Sequence, residues 1–230
     1  MSQLPEPTIA WHSPDDPRKP LVILLHGRGS RETDIITLAD HLPTGLSYAA
    51  VRAPLAEGPG FAWFANRGIG RPVAESLAET MAWFTGWLKH VAPTAPAARR
   101  VILIGFSGGA AFAGGLILNE PARYAGAAIL HGTLPFNAGV ATTPNRLVGT
   151  SMFVAHGGAD SVIPAELLES TWNYLESESG ATTTAVRSPG GHRISQQDVT
   201  ALSDWIAALR DSQESSTSSP ASSSAGTSPS

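Results

Sequence analysis

Cysteine is absent from the 230-residue chain. That excludes disulfides, a cysteine nucleophile and a thiolate zinc site together. Clustered basic charge is missing too. Fifteen Lys and Arg stand against 19 Asp and Glu, and a net charge of −4 offers nucleic acid no basic surface. The adjacent pairs Arg18-Lys19 and Arg99-Arg100 read as solvated loops. No apolar run is long and unbroken enough to cross a bilayer, so no stable membrane insertion is expected. The opening MSQLPEPTIAW lacks a basic stretch followed by an apolar one, which argues against a signal peptide and for a cytoplasmic location. An apolar content of 42% and a mean hydropathy of zero describe an ordinary soluble globular protein.

Strands alternate with helices along the chain. Leu21–Leu25 and Val101–Ile104 are continuous apolar runs, the pattern of strands covered on both faces, and Leu46–Val51, Ala125–Leu130 and Ser151–Ala155 read as further strands. Thr182–Arg187 reads as a further strand and Thr8–Trp11 as a short edge strand. Helices are expected over residues 34–42 with Thr33 or Asp34 as N-cap, then 74–91, 164–175 and 195–209. In the second of these, Leu77, Met81, Phe84, Trp87 and Leu88 recur near helical spacing and read as core, and Pro93 and Pro96 stop it. The long segment Arg52–Pro72 reads as a functional loop. The sequence thus predicts an α/β fold with a mostly parallel central sheet and helices on both faces. It is read as one domain over residues 1–211, with 1–20 as an extended N-terminal segment. From Ser212 to Ser230 the chain is rich in Ser, Thr and Pro and reads as a disordered tail.

The stretch VILIGFSGGAAFAGG, residues 101–115, carries the chemistry. A buried strand runs into Gly105-Phe106-Ser107-Gly108-Gly109, and a helix of small residues begins at once. That is the spacing of a nucleophile elbow, which lifts a serine hydroxyl at the carboxyl edge of a sheet. A serine needs a histidine to take its proton and an acid to orient that histidine. Three histidines follow: His131, His156 and His192. Of these, His192 lies in a glycine-rich loop after a strand and before the last helix, and Asp160 lies in the loop after the preceding strand. The expected triad is therefore Ser107, Asp160 and His192. His156 is expected to hold its own turn, and His131 either faces the site or packs structurally. The oxyanion formed by acyl transfer needs N–H donors. Gly108 follows the serine, and the loop His26-Gly27-Arg28-Gly29 can turn the Arg28 N–H inward. The Arg28 side chain could equally be a bystander at the surface. Neither nucleotide-binding glycine pattern occurs in that loop, and no cofactor is expected. His156 and Asp160 are split by two glycines with no third ligand nearby, so no metal site is expected either.

LLHGRGS at 24–30, RAPLAEGPGFAWF at 52–64, LIGFSGGA at 103–110, HGGADSVIP at 156–164 and GGHRIS at 190–195 stand in order. In these stretches the chain resembles the phospholipase/carboxylesterase family of α/β-hydrolases, which includes acyl-protein thioesterases and small bacterial carboxylesterases. The resemblance implies a serine hydrolase with no large lid domain, acting on small-molecule carboxylic esters or thioesters. It assigns Ser107 as nucleophile, Asp160 as acid, His192 as base, and Arg28 and Gly108 as oxyanion donors. It also places Trp63 in the loop lining the substrate groove. Many relatives carry glutamine after the serine where this chain has Gly108, and His131 is a candidate to fill the space left. The expected activity is a serine carboxylesterase for short to medium acyl chains. A thioesterase or lysophospholipase with the same triad is the nearest alternative, and an idle hydrolase-fold binding protein is the alternative from another class. Oligomeric state leaves no mark in the sequence.

Overall fold

The computed structural model describes residues 4–93 and 99–217. Seven strands form one sheet in the order β1 (Ile9–Trp11), β3 (Ser47–Val51), β2 (Leu21–Leu25), β6 (Val101–Phe106), β7 (Gly126–Leu130), β8 (Ser151–Gly157) and β9 (Thr182–Ser188). All pairings are parallel except β1 with β3, whose partners are Ile9 with Val51 and Trp11 with Ala49. The apolar runs are continuous because alternate residues face opposite layers. Leu21, Ile23, Leu25 and Leu103 pack toward α2 (Ala74–Val91) and α3 (Gly108–Asn119). Val22, Leu24, Ile102 and Ile104 face the other way, toward Leu38, Leu42 and α5 (Gln196–Thr217). Helix α3 is buried on nearly every side, which its run of alanines and glycines permits. Leu77, Met81, Phe84 and Leu88 of α2 are buried as core, and Trp87 packs partly against them. No helix among the described residues is long and apolar enough to cross a membrane.

From β2 the sheet grows through β3 to β1 on one side and through β6 to β9 on the other. The strand order thus reverses between β2 and β6. A crevice opens at such a switch point, outside the carboxyl ends of the strands. Here it lies between the loop after β2 and the turn after β6.

Several local expectations are corrected. The helix expected at 34–42 is a short α1 (Glu32–Ile35) followed by a 3₁₀ turn over Ile36–His41. Asp34 does not cap it from outside; its carboxylate accepts from the Ser30 hydroxyl at 2.6 Å and the Arg31 N–H at 3.1 Å. The long loop after β3 contains a hairpin, β4 (Leu55–Glu57) with β5 (Gly60–Ala62). Arg99 is no solvated loop residue: its guanidinium is buried against Asp15 at 2.6 and 3.0 Å and pins the N-terminal segment beneath the sheet. Helix α4 (Ala165–Asn173) continues as a π turn to Glu178. Helix α5 runs through Thr217, past the expected boundary at residue 211, because extending a formed helix costs far less than starting one. The rest of the expected tail, residues 218–230, and Pro96 lie outside the described residues.

Candidate active site

Ser107 sits between β6 and α3 with φ 55° and ψ −114°, a region that few non-glycine residues occupy. The flanking glycines are sterically required. A Cβ on Gly105 would stand 2.1 Å from the Gly109 carbonyl oxygen, and one on Gly109 would stand 2.1 Å from that of Leu25. The Ser107 N–H donates to the Leu130 carbonyl at 2.9 Å, which ties the elbow to β7.

Asp160 and His192 reach the same point from the loops after β8 and β9. Those loops are laced by main chain: Gly158 N–H donates to Ser188 O at 2.7 Å and Ala159 N–H to Gly190 O at 2.9 Å. His192 Nδ1 lies 2.8 Å from Asp160 Oδ2, and His192 Nε2 lies 2.9 Å from Ser107 Oγ. With Nδ1–H donating to the carboxylate, Nε2 is the nitrogen left to accept from the serine hydroxyl. The Asp160 side chain is fully buried, whereas His192 keeps 16% of its side-chain surface exposed. The second Asp160 oxygen accepts from the N–H groups of Val162 at 2.9 Å and Ile163 at 3.1 Å. Burial alone would raise this carboxyl. The hydrogen bonds from His192, Ile163 and Val162 outweigh it and hold the group below the usual carboxylate range.

Gly108 opens α3 and abuts the loop after β2, since a Cβ on it would lie 3.3 Å from the Arg28 nitrogen. The Arg28 and Gly108 N–H groups form no hydrogen bond to protein among the described residues. The Arg28 guanidinium turns away to Glu57, with Nε 2.8 Å from Oε1. What the loop offers at the elbow is therefore main chain. His26, fully buried, braces it: Nδ1–H donates to Gly27 O at 2.7 Å and Nε2 accepts from Ala53 N–H at 3.0 Å. Burial pushes its pKa down, which keeps it neutral.

A cavity of about 360 Å³ opens over Ser107 and His192, lined by Phe64, Asn66, Ile69, Thr133, Val162 and Ile163 together with Arg28 and Gly108. A larger groove of about 840 Å³ between the N-terminal segment and α2 shares no residue with it. Ile69 and Val162 are 49% and 44% exposed, large apolar side chains left at the cavity. Asn66 Oδ1 is buried without a partner among the described residues.

Trp63, which the resemblance placed in the loop lining the groove, and His131, a candidate to face the site, do not line the cavity. Trp63 is 1% exposed, stacks on Phe112 at 4.4 Å and donates from Nε1 to His26 O at 2.8 Å. The hairpin turns it into the core, and its neighbour Phe64 lines the cavity. His131 is fully buried and hydrogen-bonds Asp198 at 3.0 Å, so it neither faces the cavity nor fills the space beside Gly108. Thr133 lines the wall in its place. His156 is a strand residue of β8 opposite Arg187 rather than a turn residue, with its ring against Trp172. Sequence reasoning also missed the Glu32–Arg52 pair, 2.7 Å at its Nε contact, which joins α1 to the segment after β3.

A parallel sheet with a nucleophile elbow at its switch point defines an α/β-hydrolase. The description "Phospholipase/Carboxylesterase" belongs to a family whose sequence model matches residues 7–210. The chain belongs to the phospholipase/carboxylesterase family, and it is a hydrolase of the esterase class. The Bacillus cereus carboxylesterase has a similar structure, with TM-score 0.77, 25% identity, and 88% of this chain and 94% of that one covered. A carboxylesterase from Mesorhizobium loti follows with TM-score 0.72 and 25% identity, covering 83% of this chain and 91% of the other. In sequence, MhqD of Bacillus subtilis (strain 168), which carries the name of a hydrolase, is 25% identical over 186 residues, 80% of this chain and 91% of that protein.

Proposed function

We propose that the chain is a serine carboxylesterase that hydrolyses esters of short to medium acyl chains through an acyl-enzyme on Ser107. The observation that carries this reading is the line from Ser107 Oγ to His192 Nε2, 2.9 Å, and from His192 Nδ1 to Asp160, 2.8 Å. Ser107 Oγ attacks the ester carbonyl carbon while its proton passes to His192 Nε2. Asp160, kept ionised, stabilises the imidazolium that results. The carbonyl electrons move to oxygen, where the N–H groups of Gly108 and Arg28 receive them. As the tetrahedral species collapses, the carbon–oxygen bond to the alcohol breaks and Nε2 returns its proton to that alcohol. Water then repeats the sequence on the acyl-enzyme, giving its proton to Nε2 and freeing the acid and Ser107.

The cavity supports the choice of substrate. Its volume of about 360 Å³ suits a small ester, and Ile69 and Val162 give an acyl chain an apolar wall. A long chain would run out into water, where its methylene groups gain nothing from burial. Gly108 leaves the approach to Ser107 clear of any side chain at that position.

A fluorophosphonate should form an adduct on Ser107 of the folded protein, and Ser107→Ala should abolish it and lower kcat by about 10⁴-fold or more. Across p-nitrophenyl esters from acetate to palmitate, turnover should fall toward the long chains. No adduct on folded protein would end the esterase reading. A preference for palmitate, or faster turnover of a thioester or lysophospholipid, would overturn the substrate class.

A further inference from the structure

Beneath the site lies a second histidine–aspartate pair that the reaction does not touch. His131 and Asp198 are both fully buried, with His131 Nε2 3.0 Å from Asp198 Oδ2. We propose that this pair is a strut between the elbow of Ser107 and the loop of His192, and that His131 and Asp198 are positioning residues that set the Ser107–His192 separation. The proposal rests on the serine hydrolase reading above.

Each end of the strut is fastened to one half of the site. On the elbow side, His131 follows the last residue of β7, Leu130, whose carbonyl takes the Ser107 N–H at 2.9 Å. On its other side Gly132 packs so closely that a Cβ there would stand 2.6 Å from the Ser107 carbonyl oxygen. On the base side, Asp198 Oδ2 also accepts from the Ser195 N–H and hydroxyl, both at 2.7 Å. Its own N–H donates back to Ser195 Oγ at 3.2 Å. This capping box starts α5, and Ser195 is three residues after His192. The His131 ring also stands edge-on to the His192 ring, with centroids 6.4 Å apart, and Phe106 flanks both, 6.1 Å from His131 and 5.2 Å from His192.

The arrangement is more than an ordinary cap. A capping carboxylate works equally well in water, yet here His131 Nδ1 and Asp198 Oδ1 are both buried without partners among the described residues. His131 also holds φ at 46°, which a non-glycine residue adopts only when its surroundings impose it. A buried polar pair of this kind adds little to stability compared with an apolar pair of similar volume. Its distinctive property is directional: it fixes where two chain segments stand relative to each other, while apolar contacts slide.

The test compares His131→Gln, His131→Leu and the double variant His131→Leu/Asp198→Leu with wild type. For each, kcat and KM for a p-nitrophenyl ester, the rate of fluorophosphonate labelling and the thermal midpoint are measured. Small misplacement of reacting groups costs up to about 100-fold in rate. His131→Leu should therefore lower kcat and the labelling rate on the order of 10-fold or more, with KM within about twofold. His131→Gln, which keeps an N–H donor, should recover most of the loss. The double variant should regain thermal stability without regaining kcat. If kcat returns together with stability, or His131→Leu turns over like wild type, the strut is structural only and the proposal falls. Ser195→Ala, which removes only the hydroxyl between strut and base loop, carries the test should His131→Leu not fold. It should lower kcat with KM unchanged, and an unchanged kcat overturns the proposal. Wild-type protein that neither turns over esters nor labels sinks the hydrolase reading itself, whereas active wild type with an indifferent His131→Leu sinks the strut alone.

Discussion

Two histidine–aspartate pairs with nearly the same hydrogen bond occupy adjacent layers of this molecule. His192 and Asp160 meet at 2.8 Å at the carboxyl edge of the sheet, and His131 and Asp198 meet at 3.0 Å just beneath it. Residue type and distance do not separate them. What separates them is the second ring nitrogen of each histidine. In His192 it faces Ser107 Oγ next to a cavity, whereas in His131 it is buried with no partner among the described residues. A base needs something to take a proton from and a place for substrate to stand, and the upper layer alone offers both. The lower pair, like the buried His26, Trp63 and His156 elsewhere in the fold, is built from the same chemical types put to holding work.

The sharpest way to break that contrast is one substitution made at both aspartates. Asp160→Asn should lower kcat by about 10³- to 10⁴-fold, because the imidazolium loses its counter-charge and the ring its tautomer. Asp198→Asn should lower kcat only on the order of 10-fold, since misplacement and not lost chemistry is the cause. Steady-state kinetics on one ester reads both, and equal losses would erase the distinction between the layers.

Acid titration of stability comes next in size. Burial, aided by the neighbouring His131 and Arg187, pushes the His156 pKa down to about 4 from its ordinary 6.5. The unfolded chain therefore binds this proton over a range where the folded chain does not. Stability is complete above about pH 6.5, declines as pH falls toward 4, and from this group loses nothing further below that. The span corresponds to roughly 3 kcal/mol. His26, also lowered by burial, adds to the same window, while Asp160 and Asp198, lowered carboxyls, add their loss only below it. Urea unfolding at about pH 7 and about pH 4.5 should show a smaller decline for His156→Gln than for wild type. Identical slopes would mean that His156 takes its proton without unfolding.

Trp63→Phe should have the smallest effect, and only on stability. Losing the hydrogen bond to His26 O costs about 1 kcal/mol, while KM for every ester stays where it was. A raised KM at unchanged stability would return Trp63 to the substrate wall.

Local chemistry made much of this legible in the chain itself. Leu21–Leu25 and Val101–Ile104 appear as unbroken apolar runs because both faces of the sheet are covered. Ser107, Asp160 and His192 could be chosen together because chain order and strand ends limit where an acid and a base can stand, and these three do meet. Side-chain direction was not legible. Trp63 and Phe64 are neighbours of the same kind, and only the hairpin decides which faces the core. His131 followed a strand as a site residue would, but its partner lies 67 residues away on α5, and nothing local announces it. The break of α1 into a 3₁₀ turn and the length of α5 depend on capping and propagation, which apolar spacing does not encode.

The main-chain lacing of the two loops after β8 and β9 has a consequence for how such an enzyme can change. Gly158, Ala159, Ser188 and Gly190 join through amide and carbonyl groups that every residue except proline carries in full. The spacing of Asp160 and His192, the proposed acid and base, is thus set by the fold and is blind to most of the side chains around it. Phe64, Ile69 and Val162 can drift, or be redesigned, without disturbing the proposed proton path, so the choice of ester and the means of cleaving it can evolve on separate clocks.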